Sequence, residues 1–216
     1  SKNAVSKLIY LSSAHVYTDD LSGVISEGDS VTNMHPYATS QVLGEQATIN
    51  GHSPIGMQTI VVRLANAFGA PLIKDVNCWM LVTNDLCKQA AVDRQLTIRG
   101  PSTIVRNFIT MTDVCLGLEF LVNNHQHPLH PIICNMGDKT KSIGNIASVI
   151  KLIYLEEKGI NLKIIGLSKD RLETRHLDFR SSVLADMGYQ WSSNFEEELS
   201  ELVNFCECEF GERHEN

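Results

Sequence analysis

Hydrophobic residues along this chain follow two different spacings, which predicts alternating strands and helices. Short, β-rich apolar runs predict core strands at Leu8–Leu11, Met57–Leu64 and Pro131–Asn135. Apolar positions at helical spacing predict helices at 36–50, 77–91 and 142–158. Strands that alternate with helices are typical of an α/β fold with a parallel sheet.

The first predicted strand, which we expect to be buried, ends in two serines, Ser12 and Ser13. In open α/β sheets, ligands bind at the carboxyl ends of the strands. The next predicted helix begins at Pro36 and carries Tyr37 and Gln41 on one face, one turn apart. We therefore expect hydroxyl groups to gather at the ligand-binding edge of the sheet.

Three further features concern connections and helix ends. The polar stretch Thr18–Met34 is typical of a site loop and predicts no element of its own. Thr112 and Asp113 are well placed to cap the helix that follows them. Ser142 is the predicted N-cap of the helix that runs to about Lys158.

Composition narrows the class of protein. The 216 residues are 43% hydrophobic and carry a net charge of -7 without any basic run, which argues against a nucleic-acid partner. Charges and glycines interrupt every apolar stretch before it could span a membrane, and no signal-peptide pattern opens the chain. The six cysteines form no C-x-x-C pair and predict no metal site. We expect a cytoplasmic protein whose cysteines are mostly reduced.

The strand that ends in Ser12–Ser13, together with the helix that carries Tyr37, resembles a known family. This family is the extended short-chain dehydrogenase/reductases that epimerise, dehydrate or reduce nucleotide sugars. Their pattern is Ser-Ser-x-x-Val-Tyr-Gly followed by Tyr-x-x-x-Lys. The chain departs from it at Thr18, in place of the glycine, and at Gln41, in place of the lysine.

The resemblance implies roles for four of these residues. Ser13 and Tyr37 match the catalytic serine and tyrosine, and Ser12, Tyr37 and Gln41 would contact NAD or NADP. A lysine would hold the nicotinamide ribose and favour tyrosinate through its positive charge. Gln41 can still form a hydrogen bond with a ribose, but it supplies no such charge.

Later segments extend the resemblance to substrate binding. Arg63-Leu-Ala-Asn66 is similar to Arg-x-x-Asn, whose asparagine meets the nucleotide sugar, and Arg106-Asn-Phe-Ile is similar to Arg-Asp-Phe-Ile, whose arginine clamps a pyrophosphate. Asn107 replaces the aspartate of that motif. Asn77 fits either a substrate contact or a helix N-cap. Arg175 matches a second phosphate-binding arginine more loosely.

The glycine-rich loop with which the family begins does not occur in the chain. We therefore expect an α/β fold that forms the C-terminal part of a Rossmann-type parallel sheet, with a smaller substrate-binding lobe. The predicted ranges are 1–70 and 106–137 for the nucleotide-binding portion, and 71–105 and 138–216 for the lobe. The early sheet is absent because the chain is a fragment, because another chain supplies it, or because it was lost; we favour the fragment.

The family's chemistry leaves two predicted activities. Dehydratases and decarboxylases carry acidic residues just after the serine, where this chain has Ala14 and His15. An NAD(P)-dependent nucleotide-sugar epimerase or 4-ketoreductase is therefore expected, and a homodimer is compatible with the resemblance. Gln41 favours the alternative, a catalytically silent sugar-nucleotide-binding or sheet-completing partner protein. Retention of both Ser13 and Tyr37 favours an enzyme.

Overall fold

The computed structural model describes residues 5–124, 128–167, 176–191 and 194–211. Strands and helices alternate through most of the chain, as the two hydrophobic spacings predict. The elements in chain order are β1 (Lys7–Ser13), a 3₁₀ turn (Ala14–Val16), β2 (Gly23–Ile25), α1 (Pro36–Asn50), β3 (Gln58–Leu64), β4 (Asn66–Phe68), α2 (Val82–Asp93), β5 (Gln95–Thr97), β6 (Val105–Thr110), α3 (Met111–Asn123), β7 (Ile132–Met136), β8 (Lys139–Ser142), α4 (Ile143–Lys158), β9 (Lys163–Ile165), β10 (Leu177–Phe179), α5 (Ser182–Asp186) and α6 (Phe195–Phe210).

The chain forms two compact units. The first unit consists of Ser1–Asn66, Asp113–Asp138 and Leu177–Trp191, and the second of Ala67–Thr112, Lys139–His176 and Ser192–Asn216. The predicted domain ranges describe a nucleotide-binding sheet and a substrate lobe rather than compact units. That division therefore stays a prediction.

The first unit contains a parallel sheet with strand order β1-β3-β7. Helix α1 packs against β1 and β3. The polar stretch predicted to lack an element contains β2, which pairs in parallel with β10. That prediction was wrong because the partner strand lies about 150 residues further along the chain, where local sequence carries no sign of it.

Burial of β1 differs from the prediction. Leu8 is 40% exposed and Leu11 is 45% exposed, although the apolar run predicts a buried strand. Within the described residues, β1 pairs with β3 on one side only, so it is an edge strand of this sheet. A strand with one neighbour leaves part of its surface uncovered.

The second unit surrounds a continuous hydrophobic core. Helices α2, α4 and α6 pack on one another, with β5 and β9 pairing in parallel and β6 and β8 pairing antiparallel. Buried members of this core include Phe68, Leu86, Phe108, Ile150 and Leu202. Much of this core comes from apolar side chains at helical spacing, which predicts that one face of each helix is buried.

Helix ends test three predictions. Helix α4 begins after Ser142, whose Oγ accepts the N–H of Asn145 at 3.1 Å, and the predicted cap is confirmed. Helix α2 begins at Val82, so the helix predicted from Asn77 starts five residues too early and Asn77 is not its N-cap. Helix α3 begins directly after β6, and Thr112 and Asp113 lie inside it.

The cap of α3 comes from a distant helix. Both carboxylate oxygens of Glu198, in the first turn of α6, accept the N–H of Thr112, at 3.2 and 3.3 Å. Glu198 is buried, and a carboxylate at a helix N-terminus complements the unpaired N–H groups there. Thr112 and Asp113, which were expected to cap this helix, instead lie inside it, and Glu198 provides the cap. None of the described helices is long and apolar enough to cross a lipid bilayer.

Candidate active site

Ser13 ends β1 and opens the 3₁₀ turn that follows. Its backbone is extended, and its Oγ accepts the N–H of His15 at 3.2 Å. The side chain is buried at the end of the strand. Because the hydroxyl oxygen is held by a backbone donor, its own hydrogen stays available to donate to a bound oxygen atom.

A relay of hydrogen bonds joins this turn to the start of α1. The side-chain amide of Asn33 donates to the carbonyl oxygen of His15 at 2.7 Å, and Asn33 Oδ1 accepts the N–H of His35 at 2.9 Å. His35 is the N-cap of α1, and its Nδ1 accepts the N–H of Tyr37 at 3.2 Å. The relay therefore fixes the helix turn that bears Tyr37 to the turn that bears Ser13. Tyr37 itself is 51% exposed.

Two side-chain contacts, here called the β1–α1 seam, hold α1 against the strand. The Tyr10 hydroxyl donates to Gln41 Oε1 at 3.1 Å, and the Ser12 hydroxyl donates to Glu45 Oε1 at 2.6 Å. Tyr10 and Ser12 share one face of β1, and Gln41 and Glu45 are one turn apart on α1. The seam thus aligns the strand that ends in Ser13 with the helix that carries Tyr37 in its first turn.

A buried group of side chains, here called the polar layer, crosses the sheet of the first unit. Ser12, Arg63 and Asn135 occupy one register across β1, β3 and β7. Arg63 donates to both oxygens of Glu45, with Nε–Oε1 at 3.0 Å and Nη2–Oε2 at 2.8 Å, and both residues are buried. Such two-pronged arginine–carboxylate pairs are among the strongest polar contacts in proteins.

Tyr17 extends the polar layer towards β7. Its ring lies 4.8 Å from the Arg63 guanidinium carbon, and its hydroxyl donates to Asn135 Oδ1 at 2.7 Å. Burial raises the pKa of Tyr17, although hydrogen bonding and charge from Arg63 oppose the shift. Burial would lower the pKa of Arg63, but its hydrogen bonds with Glu45 and Tyr17 outweigh burial and raise it. The layer therefore holds a neutral phenol beside a charged guanidinium.

The polar loop is anchored to the same layer. Glu27 Oε1 accepts the backbone N–H of Asn135 at 3.2 Å and that of Val183 at 3.1 Å. Thr32 reaches back with its hydroxyl to the carbonyl oxygen of Tyr17 at 2.7 Å. The loop between the two predicted catalytic residues is consequently held near its middle, at Glu27, and near its end, at Thr32.

The second unit holds a cavity of about 240 Å³. It is lined by Met80, Val82, Asp85, Leu86, Thr97, Ile98, Arg99, Gly100, Pro101, Ile104, Arg106 and Ile143. Two arginines at the wall of a largely apolar pocket suit a ligand with an anionic group and a flat apolar part. Arg106 is one of the predicted substrate-binding residues.

The other predicted site residues are placed as follows. Asn66 opens β4 and is half-buried, and Asn77 is exposed in the segment before α2. Arg175 lies outside the described residues. Ser12 is buried, and its hydroxyl donates a hydrogen bond to Glu45 Oε1. The predicted binding roles of these four residues stay predictions, as do the catalytic roles of Ser13 and Tyr37.

Four residues that contribute to this geometry escaped sequence reasoning: Tyr10, Asn33, His35 and Glu45. Glu45 follows Gln41 by one helical turn, so helical periodicity could have placed it on the same face as Tyr37 and Gln41. His35 directly precedes the proline at the first helical position, which is the N-cap place. Nothing in the local sequence distinguishes Tyr10 or Asn33.

Comparison with known proteins gives a family. Residues 1–137 match the family described as the NAD dependent epimerase/dehydratase family. A search of curated proteins gave no match.

Solved structures share the fold at low identity. They include UDP-glucuronic acid 4-epimerase from Bacillus cereus in complex with NAD (TM-score 0.74, 20% identity) and dTDP-glucose 4,6-dehydratase from Bacillus anthracis in complex with NAD (0.72, 18%). UDP-N-acetylglucosamine 4-epimerase from Methanobrevibacter ruminantium M1 is also similar (0.69, 18%). These matches cover 93–94% of this chain and 61–62% of the other chains. This chain therefore spans about three fifths of their length, and the predicted Rossmann-type α/β fold is confirmed.

Proposed function

The chain belongs to the NAD dependent epimerase/dehydratase family, and from that premise we propose a nicotinamide-dependent epimerase or 4-ketoreductase of nucleotide sugars. The observation that carries the proposal is the relay from the Ser13 turn through Asn33 and His35 to Tyr37. It joins the two residues that would act on one substrate oxygen.

In the proposed reaction, Tyr37 exchanges a proton with a sugar hydroxyl or keto oxygen. Ser13 donates a hydrogen bond to that same oxygen, because its own oxygen is already held by the His15 N–H. A bound nicotinamide supplies the hydride chemistry. The β1–α1 seam and the relay keep the two hydroxyl groups on rigid elements, as acid–base chemistry requires.

The donor set fits a nicotinamide cofactor. The half-exposed Tyr37 presents a phenol, and Gln41 presents amide N–H groups, both suitable partners for ribose hydroxyls. Ser12 fits less well as a donor, because its hydrogen is committed to Glu45. NAD or NADP would therefore be held by Tyr37 and Gln41 in this part of the chain.

The cavity in the second unit supports a nucleotide-sugar substrate. Arg106 and Arg99 line it together with apolar side chains, which suits a diphosphate next to a flat base. Several structurally similar enzymes are described in complexes with UDP sugars, UDP-glucuronic acid among them. Ala14 and His15, in place of acidic residues, favour epimerisation or ketoreduction over plain 4,6-dehydration.

The decisive experiment measures turnover in the full-length protein. Candidate nucleotide sugars are incubated with NAD and NADP, and products are separated by liquid chromatography. Tyr37→Phe is expected to abolish turnover in both directions, because the exchanged proton is lost. Tyr189→Phe removes a phenol elsewhere in the same unit and is the matched control. Full turnover in Tyr37→Phe, or none with either cofactor in the native protein, would favour the silent-binder alternative.

A second experiment addresses the substrate by calorimetry. Arg106→Ala is expected to weaken nucleotide-sugar binding by about 1.5 to 3 kcal/mol, the scale of a charge-assisted hydrogen bond. Lys139→Ala removes an exposed charge from the same unit and controls for net charge. Unchanged affinity in a folded Arg106→Ala variant would contradict this substrate assignment.

The direction of the reaction gives a third test. Gln41 supplies no positive charge to favour tyrosinate, whereas a neutral tyrosine is already a proton donor at neutral pH. Ketoreduction should therefore proceed better than alcohol oxidation. Gln41→Lys should raise the oxidation rate and shift its pH profile downward. Equal oxidation rates in the native and Gln41→Lys proteins would refute this account of Gln41.

A further inference from the structure

We propose that Tyr10 is a positioning residue, which orients the Gln41 amide so that its N–H groups serve as donors to a bound ribose. The bound ribose is part of the proposed function, so the consequence of this inference for cofactor binding rests on that function. The orientation of Gln41 by Tyr10 stands on contacts within the chain.

The first observation is the contact itself. The Tyr10 hydroxyl donates to Gln41 Oε1 at 3.1 Å. A primary amide is planar, and its acceptor oxygen and its nitrogen with two hydrogens point to opposite sides of the carbonyl carbon within that plane. With its oxygen held by Tyr10, Gln41 turns its nitrogen away from the strand. Its accessible face then carries donors, the same polarity that an ammonium would present.

The second observation is the close approach of Tyr10 to α1. A Cβ atom built at Gly44 would lie 2.2 Å from the Tyr10 hydroxyl oxygen and 2.3 Å from the ring carbon that bears it. Any side chain at this position would displace the phenol, so the glycine leaves room for it. Tyr10 therefore fits into a gap on the face of α1 that also carries Gln41.

The third observation concerns protonation. Burial raises the pKa of the Tyr10 phenol, and the nearby Glu45 and Tyr37 add to the shift. A phenol that keeps its proton can donate to the amide oxygen as it does here, whereas a phenolate could only accept from the amide nitrogen. The neighbouring Ser12–Glu45 contact holds the rest of the β1–α1 seam in place, so loss of the Tyr10 hydroxyl alone leaves α1 attached.

The orientation is tested without any ligand by nuclear magnetic resonance on the ¹⁵N-labelled full-length protein. The side-chain amide signals of Gln41 are assigned by their loss in Gln41→Met. Tyr10→Phe keeps the ring and is expected to move these signals to the positions of a freely rotating glutamine. Tyr189→Phe, which removes a hydroxyl bound to the Asp113 carbonyl oxygen, should leave them unchanged. Unmoved Gln41 signals in Tyr10→Phe would overturn the proposal.

Its consequence for binding is tested with a double-mutant cycle and calorimetric titration of NADH. Tyr10→Phe should weaken NADH binding about three- to tenfold, the range of one neutral hydrogen bond, and should have no effect in a Gln41→Met background. An equal loss in both backgrounds would show that Tyr10 acts independently of Gln41, contrary to the proposal. A native protein that binds no NADH would overturn the proposed function, while the amide signals would still decide whether Tyr10 orients Gln41.

Discussion

The interiors of the two compact units differ in which side chains organise them. Across the sheet of the first unit runs the polar layer, in which the buried pair Glu45–Arg63 is joined by Ser12, Tyr17 and Asn135. The second unit is organised around an apolar core of helices and short strands. Burial of apolar surface stabilises without directional demands, whereas a buried ion pair requires every partner to be in place.

This difference coincides with the position of the predicted chemistry. Ser13 ends β1 and Tyr37 lies in the first turn of α1, and Glu45 joins α1 to β1 through Ser12 and to β3 through Arg63. Buried ionic groups contribute little net stability, but they fix geometry once formed. In the first unit, buried polar contacts align the elements that carry the predicted chemistry, whereas the interior of the second unit is a continuous apolar core.

The largest expected effect comes from breaking the ion pair. Glu45→Leu leaves Arg63 buried and uncompensated, and should lower the free energy of unfolding by about 3 to 5 kcal/mol. The double variant Glu45→Leu/Arg63→Met removes both charges and should recover much of that loss. Urea unfolding followed by circular dichroism measures both. A double variant no more stable than Glu45→Leu would contradict the role assigned to the pair.

A cavity in the apolar core should have a somewhat smaller effect. Leu202 is fully buried on α6, so Leu202→Ala should cost about 3 kcal/mol in the free energy of unfolding. Leu155, half-exposed on α4, is the matched control, and Leu155→Ala should change stability by less than about 0.5 kcal/mol. Equal losses from the two substitutions in urea unfolding would refute the distinction between core and surface.

Alkaline pH should destabilise both units through buried thiols. Burial raises the pKa of Cys134 and of Cys206 to about 12. Above about pH 8.5 an unfolded thiol loses its proton while the folded thiol keeps it, so rising pH favours unfolding. Between about pH 8.5 and 10, each thiol should cost on the order of 2 kcal/mol.

Single replacements separate the two contributions. Cys134→Val in the first unit and Cys206→Val in the second should each flatten the decline in stability above about pH 8.5. The exposed Cys208 serves as the control, and Cys208→Val should leave the decline unchanged. Stability that is independent of pH in this range would show that these thiols titrate alike in both states.

The smallest expected effect concerns a helix end in the second unit. Ser142→Ala removes the side-chain acceptor for the Asn145 N–H and should cost about 1 kcal/mol. Ser148 lies on the exposed side of the same helix, where its hydroxyl bonds the Gly144 carbonyl oxygen, and Ser148→Ala is the control. Thermal unfolding that ranks Ser148→Ala as the more damaging change would contradict the capping assignment.

Local patterns predicted much of the fold. The limits of α1 and α4, the core strands β3 and β7, and the Ser142 cap all follow from periodicity and capping residues within a few positions of one another. The family could also be predicted from the sequence, because its motifs are short and contiguous. These features depend on backbone preferences and neighbouring side chains, which the sequence contains directly.

Only the tertiary structure decided which polar groups are partners. A glutamate such as Glu45 is expected on the solvent-exposed face of a helix, yet it is buried against Arg63. Glu198 caps a helix that begins 87 positions earlier in the chain. The pairing of β2 with β10 and the Tyr10–Gln41 contact are of the same kind. Charged and polar side chains carry no periodic signal for a distant partner, because their burial becomes favourable only when the fold brings that partner within hydrogen-bonding distance.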